Sequence, residues 1–280
     1  MTLINKTVLY VMCVAPLMLS LWASSEDAKI VWKGRWQQGS LLLGHVPTGF
    51  RLKHREIDLP IADSGHFLLG LSRDADPIAE ITVIDRKGRT QTQSYSVTQR
   101  KYDIQRIEGV PQDRVTPPES VFKRISQEAS EVREARALRS LSEVFLEGFS
   151  APLEAPLSGV YGSQRVYNGI PKRPHYGVDY AAATGTPVKA PAAGVVTLAH
   201  PDMYYSGGTL IVDHGHGLSS TFLHLSQVRV VLGQKIQRGD LIADVGASGR
   251  ATGPHLDWRM NWHDVRIDPL LVLEALPATN

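Results

Sequence analysis

The alternation of apolar and polar residues near the C-terminus predicts a strand with two different faces. His255, Asp257 and Arg259 alternate with Leu256, Trp258 and Met260. Because residues i and i+2 of a strand point to the same side, one face would be apolar, while the other would carry an imidazole beside a carboxylate. The apolar face is suited to a core, and the polar face to chemistry.

Short apolar runs separated by glycine-rich turns continue this pattern through residues 151–280, and no long helical pattern interrupts them. The runs predict an antiparallel β domain. The other predicted strands of this domain lie at 194–198, 209–213, 220–225 and 242–245.

Residues 27–108 predict a smaller accessory domain of β-sandwich type. Apolar runs such as 81–84 end at turn residues such as Asp85-Arg86-Lys87-Gly88, which are typical of a hairpin. We identify no catalytic group of residues in this part. The expected fold class is therefore mostly β, with the accessory domain preceding the antiparallel domain.

The segment 116–147 predicts a helix between the two β domains. Phe122, Ile125, Ala129 and Val132 recur at helical spacing, with charged residues between them. We interpret it as a connecting helix that packs on a domain. The alternative is a regulatory segment that covers the active site.

Residues 1–24 resemble an export signal. Lys6 precedes an apolar run from Val8 to Leu21, and small residues follow. The run is shorter than the roughly 20 residues of a membrane span. We expect a signal peptide and a periplasmic protein, or an inner-membrane anchor if the segment is not cleaved. The single cysteine, Cys13, lies in this segment, so a metal in the β domain would need histidine and carboxylate ligands.

The charge balance argues against a nucleic-acid partner. Thirty basic and 28 acidic residues give a net charge of +2, and no basic run stands out.

Five side chains form the inventory of a metal hydrolase. His175 and Asp179 are four residues apart, and His255 and Asp257 share a strand face. Imidazole nitrogens and carboxylate oxygens both bind zinc, at about 2.0–2.2 Å. His224 lies in a third strand, where alternation places it on the same face as Phe222. A lone histidine in an apolar strand is more often a core residue, but the other two motifs favour a role in the site.

These motifs together resemble a known family. The pattern His175-x-x-x-Asp179, the later Leu223-His224-Leu225-Ser226, and Thr252-Gly253-Pro254-His255-Leu256 resemble the lysostaphin-type, or LytM-like, zinc metallopeptidases of the bacterial cell wall. The resemblance covers roughly residues 156–269, and several spaced motifs match in the same order.

The resemblance implies one Zn²⁺ per chain. His175 and Asp179 would be zinc ligands, while His224 and His255 would be catalytic, orienting or deprotonating the attacking water and stabilising the tetrahedral oxyanion. The family has a third histidine ligand where this chain has Asp257. We expect Asp257 to act as that ligand. The extra anion should weaken the effect of zinc on water and favour a harder, oxygen-rich site.

Three further residues are candidates for substrate binding. Arg165 lies in a loop that resembles one beside the family's cleft. Tyr204 and Tyr205 could line a groove, although aromatic residues in β domains more often serve packing.

The function implied by the resemblance is a zinc-dependent endopeptidase that hydrolyses peptide cross-links of peptidoglycan. One alternative is a catalytically degenerate relative that activates a cell-wall amidase, and another is a wall-binding module without chemistry. We expect peptidoglycan as partner, with an amidase or a divisome component as a further candidate, and a monomeric chain.

Overall fold

The computed structural model describes residues 29–108, 117–137 and 140–278. The expected signal segment, 1–24, lies outside these ranges. None of the helices in the described ranges has the length and apolar character needed to span a membrane.

The described chain is built mainly from short strands, which confirms the expected fold class. The strands are β1 Val31–Lys33, β2 Leu41–His45, β3 Arg51–His54, β4 Ile57–Leu59, β5 His66–Gly70, β6 Ile78–Ile84, β7 Thr90–Ser96, β8 Ile104–Ile107, β9 Leu157–Gly159, β10 Gln164–Tyr167, β11 Ile170–Pro171, β12 Gly177–Tyr180, β13 Pro187–Lys189, β14 Gly194–Met203, β15 Gly207–Asp213, β16 Leu218–Leu225, β17 Gln227–Val228, β18 Lys235–Ile236, β19 Leu241–Asp244, β20 Leu256–Trp262 and β21 Val265–Ile267. The α-helices are Phe122–Ala137 and Pro269–Ala275.

The N-terminal unit contains two small antiparallel sheets, ordered β1-β2-β5 and β4-β3-β6-β7. The turn that the sequence predicted at residues 85–88 joins β6 to β7. An aromatic cluster packs inside the unit, where the Trp36 and Tyr95 rings stack with their centroids 4.2 Å apart and Trp32 meets both edge-on. Two sheets over a shared core agree with the expected sandwich-like unit.

The C-terminal unit is dominated by an antiparallel sheet of eight strands. Their order is β18-β14-β15-β16-β20-β12-β9, and β21 pairs with β20. The apolar face of β20 is fully buried, as Leu256, Trp258 and Met260 each have 0% exposure. The opposite face of β20 carries the polar residues, as the alternation predicted. The pairing between β8 of the N-terminal unit and β10 is parallel, which differs from the antiparallel arrangement expected from the sequence.

The two β units share one continuous core. Gly70, at the end of β5, lies against the side chain of Trp262 in β20, which is 1% exposed. Nearby, Arg100 forms an ion pair of 2.8 Å with Asp268, whose carboxylate also caps the C-terminal helix by accepting from the Leu270 amide. The accessory unit is thus packed directly on the sheet that carries the candidate site.

The helix Phe122–Ala137 is held by polar contacts more than by its apolar stripe. Phe122 is 51% exposed, and Ala135 is the one residue of the helix that is buried. In contrast, Glu128 accepts a hydrogen bond of 2.9 Å from the amide of Tyr204, and Arg136 donates one of 3.0 Å to the hydroxyl of Thr221. The amphipathic spacing therefore predicted the helix, but not the residues that attach it.

The contact at Gly70 generates a stability prediction. A Cβ at position 70 would lie 2.9 Å from Trp262 atoms, which is too close without movement of the indole. We expect Gly70→Ala to lower the free energy of unfolding by about 1–3 kcal/mol, as for an overpacked core. Denaturant unfolding measures this change.

Gly253→Ala is the matched control, because a Cβ there meets open space. Equal stability of Gly70→Ala and the parent chain would contradict the packing described for the two units.

Candidate metal centre

Two adjacent strands place two carboxylates opposite each other. Asp179 of β12 and Asp257 of β20 are register partners, so their Cβ atoms lie about 4.5–5.5 Å apart. Both side chains are buried. Glycines provide the space: a Cβ at Gly159 would lie 2.2 Å from Asp179 Oδ2, and one at Gly177 would lie 2.7 Å from Asp257 Oδ1. The backbone here is shaped around the two acidic groups.

His175 completes a group of three converging side chains. Its Nδ1 lies 3.2 Å from the carbonyl oxygen of Val160, which can only accept, so the proton sits on Nδ1. Nε2 then faces Asp179 Oδ1 at 3.0 Å and Asp257 Oδ2 at 3.5 Å. Nε2 and Oδ1 are both buried acceptors and have no hydrogen-bond partner in the described chain. Either a proton on Nε2 or a metal ion between the three groups would satisfy both atoms.

The electrostatics of this group are dominated by burial and by opposite charges. Burial by itself lowers the pKa of His175, but the two aspartates raise it to about 9. Burial raises the pKa of Asp257, yet Arg259 and His175 together hold it well below its usual range. The carboxylates thus favour a positive partner, which is the His175 proton or a metal ion that replaces it.

The residues fit a divalent metal ion. Donor atoms of His175, Asp179 and Asp257 all lie within 4.8 Å of one another. Ligands about 2.1 Å from a tetrahedral ion lie about 3.4 Å apart, close to the separations of 3.0 and 3.5 Å measured here. The orphaned Nε2 and Oδ1 atoms and the room left by two glycines support the same conclusion. One nitrogen and two oxygens form a site of the kind that holds zinc or a harder ion.

His224 reaches the site because the strand alternation is broken. Regular alternation would place His224 beside Phe222, which is buried in the core at 0% exposure. However, His224 has a left-handed φ of 63°, and the pairing of β16 with β15 shifts register at this point. The His224 ring instead lies 4.8 Å from that of His255. The expected shared face with Phe222 is therefore wrong, because a bulge redirects the side chain.

His224 and His255, the two catalytic candidates, each direct Nδ1 toward a main-chain carbonyl, as His175 does. His224 Nδ1 lies 2.8 Å from the Ser248 carbonyl, and His255 Nδ1 lies 2.8 Å from the Gly253 carbonyl. Each imidazole must therefore donate from Nδ1, which leaves Nε2 as the free acceptor. His255 Nε2 is 4.0 Å from Asp179 Oδ1. Burial lowers the pKa of His224, which favours its neutral form.

The three substrate-binding candidates differ in position. Arg165 Nη2 lies 3.6 Å from Asp179 Oδ2, so this residue borders the centre. Tyr204 and Tyr205 meet edge-on, and the Arg250 guanidinium lies 4.5 Å above the Tyr205 ring. The turn that follows them contacts the site, because the His224 amide donates to the Ser206 carbonyl. Their role in substrate binding stays a prediction.

Sequence reasoning assigned no role to Arg259, although alternation placed it on the polar face. Its Nε donates to both oxygens of Asp257 at 2.9 and 3.1 Å, and its Nη2 donates at 2.5 Å. The Asp257 carboxylate raises the pKa of Arg259 against the effect of burial. The i, i+2 spacing of Asp257 and Arg259 was the available signal, since such residues are neighbours on one strand face.

The arrangement of these five residues agrees with a sequence match. The family profile of peptidase family M23 matches residues 173–269, which contain both candidate catalytic histidines and all three candidate ligands. The chain carries an M23 peptidase domain. The matched stretch begins just before His175 and ends at Pro269, so the N-terminal β unit and the helix Phe122–Ala137 lie outside it.

Two curated relatives align with the M23 domain. A peptidoglycan DD-endopeptidase of Vibrio cholerae, ShyA, is 42% identical over 89 residues, which are 31% of this chain and 20% of the relative. A DD-carboxypeptidase/endopeptidase of Neisseria meningitidis, Mpg, is 38% identical over 106 residues, or 38% of this chain and 24% of the relative. The chain thus matches about a fifth to a quarter of the length of these relatives.

A solved structure matches most of the chain. It is a Pseudomonas aeruginosa protein solved by a structural genomics consortium as a candidate M23 peptidase, with 29% identity and a TM-score of 0.66. The match covers 86% of this chain and 96% of that one. The N-terminal unit and the M23 domain therefore occur together in another protein.

The geometry predicts that Asp257 is a metal ligand. Asp257→Ala should lower the affinity for a divalent ion by more than the roughly 10- to 100-fold typical of residues behind the ligands. Competition with a chromogenic chelator measures this affinity.

Removing Asp257 also leaves Arg259 without its buried partner, so Asp257→Asn is included as a variant that keeps an oxygen for it. Asp58→Ala, in an exposed carboxylate of the N-terminal unit, is the control. Full metal occupancy in both Asp257 variants would show that Asp257 is not a ligand.

Proposed function

We propose that the protein is a zinc-dependent endopeptidase that hydrolyses peptide cross-links of peptidoglycan. The observation that carries the proposal is the convergence of His175, Asp179 and Asp257 beside two imidazoles with free Nε2 atoms. The match of residues 173–269 to family M23, the peptidoglycan named for ShyA and the endopeptidase activity named for both relatives support it. We further propose that the chain acts in the periplasm, where this substrate lies, with one Zn²⁺ per chain.

In this proposal, three side chains hold the metal ion and leave it accessible to water and substrate. His175, Asp179 and Asp257 would hold the ion, which supplies Lewis-acid polarisation of the scissile carbonyl and of water. Three protein ligands leave a further coordination position for reactants, as catalytic zinc sites require. The surrounding residues fix these ligands in advance, through the Val160 carbonyl on His175 and the Arg259 guanidinium on Asp257.

In this proposal, His224 and His255 transfer protons and stabilise the negative charge that develops during the reaction. The lowered pKa of His224 keeps it neutral near pH 7, so its Nε2 can accept a proton from the attacking water. His255 lies beside it and presents Nε2 toward Asp179. The proton that His224 accepts from water would pass to the leaving amine as the C–N bond breaks, and His255 would donate a hydrogen bond to the tetrahedral oxyanion when its Nε2 also carries a proton.

The proposal predicts metal-dependent cleavage. The zinc-loaded chain, incubated with purified cross-linked muropeptides, should release products with a new free amino group that mass spectrometry identifies. Treatment with a chelator should abolish the products, and added Zn²⁺ should restore them. Absence of cleavage by folded, zinc-replete protein would overturn the proposal and favour the interpretation as an amidase regulator.

Substitution of either catalytic histidine should impair turnover without removing the metal. We expect His224→Gln and His255→Gln each to lower kcat by about 10²- to 10⁴-fold, the usual contribution of acid–base groups, with zinc content unchanged. His200→Gln is the control, because His200 lies in the same sheet on β14 and its Nδ1 accepts a hydrogen bond from the Asp202 amide. Loss of zinc together with activity would instead indicate that these histidines are ligands.

A further inference from the structure

Beyond the candidate metal centre, the same face of the sheet carries a group of arginines. Arg259 follows Asp257 by two residues, about 7 Å along the strand. Its register partner on β16 is Thr221, whose hydroxyl accepts a hydrogen bond of 3.0 Å from Arg136 Nη2. Arg136 comes from the helix Phe122–Ala137, outside the segment that matches family M23. The helix thus delivers a guanidinium to the edge of the candidate site.

A third arginine comes from the other side of β20. Arg266 of β21 is the register partner of Asn261, and its Nη1 donates to Asn261 Oδ1 at 3.0 Å. Asn261 follows Arg259 by two residues and therefore points to the same face. We call Arg136, Arg259 and Arg266 the arginine cluster. All three residues are half-buried rather than fully enclosed.

The arginine cluster has more positive charge than its surroundings neutralise. Arg136 Nε is buried and has no hydrogen-bond partner in the described chain. Burial and the nearby charges of Arg266 and Arg259 lower the pKa of Arg136 well below its ordinary value. The carboxylate of Asp257 is already engaged by Arg259. Asp264 is close, but it forms no ion pair with the cluster within the described chain. An anion that entered here would gain charge-assisted hydrogen bonds.

We propose that the arginine cluster is a subsite for a carboxylate group of the peptide substrate. This inference rests on the proposed function, because it assumes a peptide bound across the metal centre. Guanidinium groups bind carboxylates with paired, directional hydrogen bonds, so the subsite fixes both position and register of the peptide. Because Arg259 lies about 7 Å from Asp257 along the strand, the subsite would hold a carboxylate about two residues from the scissile bond of an extended peptide.

Steady-state kinetics on two substrate preparations tests the subsite. One is cross-linked muropeptide, and the other is the same material with its carboxyl groups converted to amides. For the native substrate, Arg136→Met should raise KM by roughly 10- to 100-fold with little change in kcat, the effect of losing a hydrogen bond between charged groups. Amidation of the substrate should raise the KM of the parent chain by a similar factor. In Arg136→Met, amidation should cause little further increase in KM.

Arg133→Met is the matched control, because Arg133 is exposed on the same helix three residues earlier. It should leave KM for both substrates unchanged. An equal loss on both substrates in Arg136→Met would assign Arg136 a purely structural role and overturn the inference. Unchanged kinetics in Arg136→Met would overturn it as well.

A binding measurement separates this inference from the proposed function. Calorimetry on the full chain carrying His255→Ala does not require turnover. Tighter binding of native than of amidated muropeptide, lost when Arg136→Met is added, would support the subsite even if the parent chain cleaved nothing. Equal binding of the two preparations would overturn the subsite while leaving the question of cleavage to the chelator experiment.

Discussion

The structure of the site follows from one constraint, which is that two buried carboxylates face each other across adjacent strands. Two unit charges about 4 Å apart repel by about 4 kcal/mol at an effective dielectric constant near 20. Asp179 and Asp257 tolerate this position because positive or proton-bearing groups surround them. Arg259 binds Asp257, Arg165 approaches Asp179, and the His175 ring lies between the two. A divalent ion at the centre would neutralise the negative charge that these partners leave unbalanced. Metal binding and the stability of this part of the sheet therefore depend on the same charges.

The histidines depend on the backbone for their chemistry. His175, His224 and His255 each lie beside a main-chain carbonyl that fixes the proton on Nδ1. No side chain has to be recruited for this purpose, because strands and turns already supply rigid carbonyls. The left-handed backbone of His224 is the strained element, and such conformations cost about 1–3 kcal/mol. The sheet supports that strain through extensive pairing on both sides of β16.

The sequence was sufficient to predict the β class and the polar face of β20, because alternation is a local signal. Motif spacing singled out five candidate site residues, and the sheet brings them close together. It did not show that Asp179 and Asp257 are register partners, since strand pairing depends on the whole sheet. It also misplaced His224, because a bulge breaks the alternation that the pattern assumes. The helix is a similar case. Its apolar stripe is visible in the sequence, yet polar contacts attach the helix to the sheet. The hydrogen bond from Arg136 joins residues that are 85 positions apart, and a contact of this kind leaves no periodic signal in the sequence.

The role of Arg259 changes the meaning of an aspartate where the resembling family has a histidine. His175 is neutral as a ligand, and each aspartate contributes one negative charge. Arg259 returns one positive charge through its bidentate contact with Asp257. The set of ligands plus arginine therefore carries one net negative charge, the same as a set of two histidines and one aspartate. The expected weakening of the metal's effect by an extra anion is offset, since a carboxylate already shared with a guanidinium donates less charge to the ion. On this argument Asp257 and Arg259 act as one unit, and the loss of a histidine at this position is compatible with catalysis.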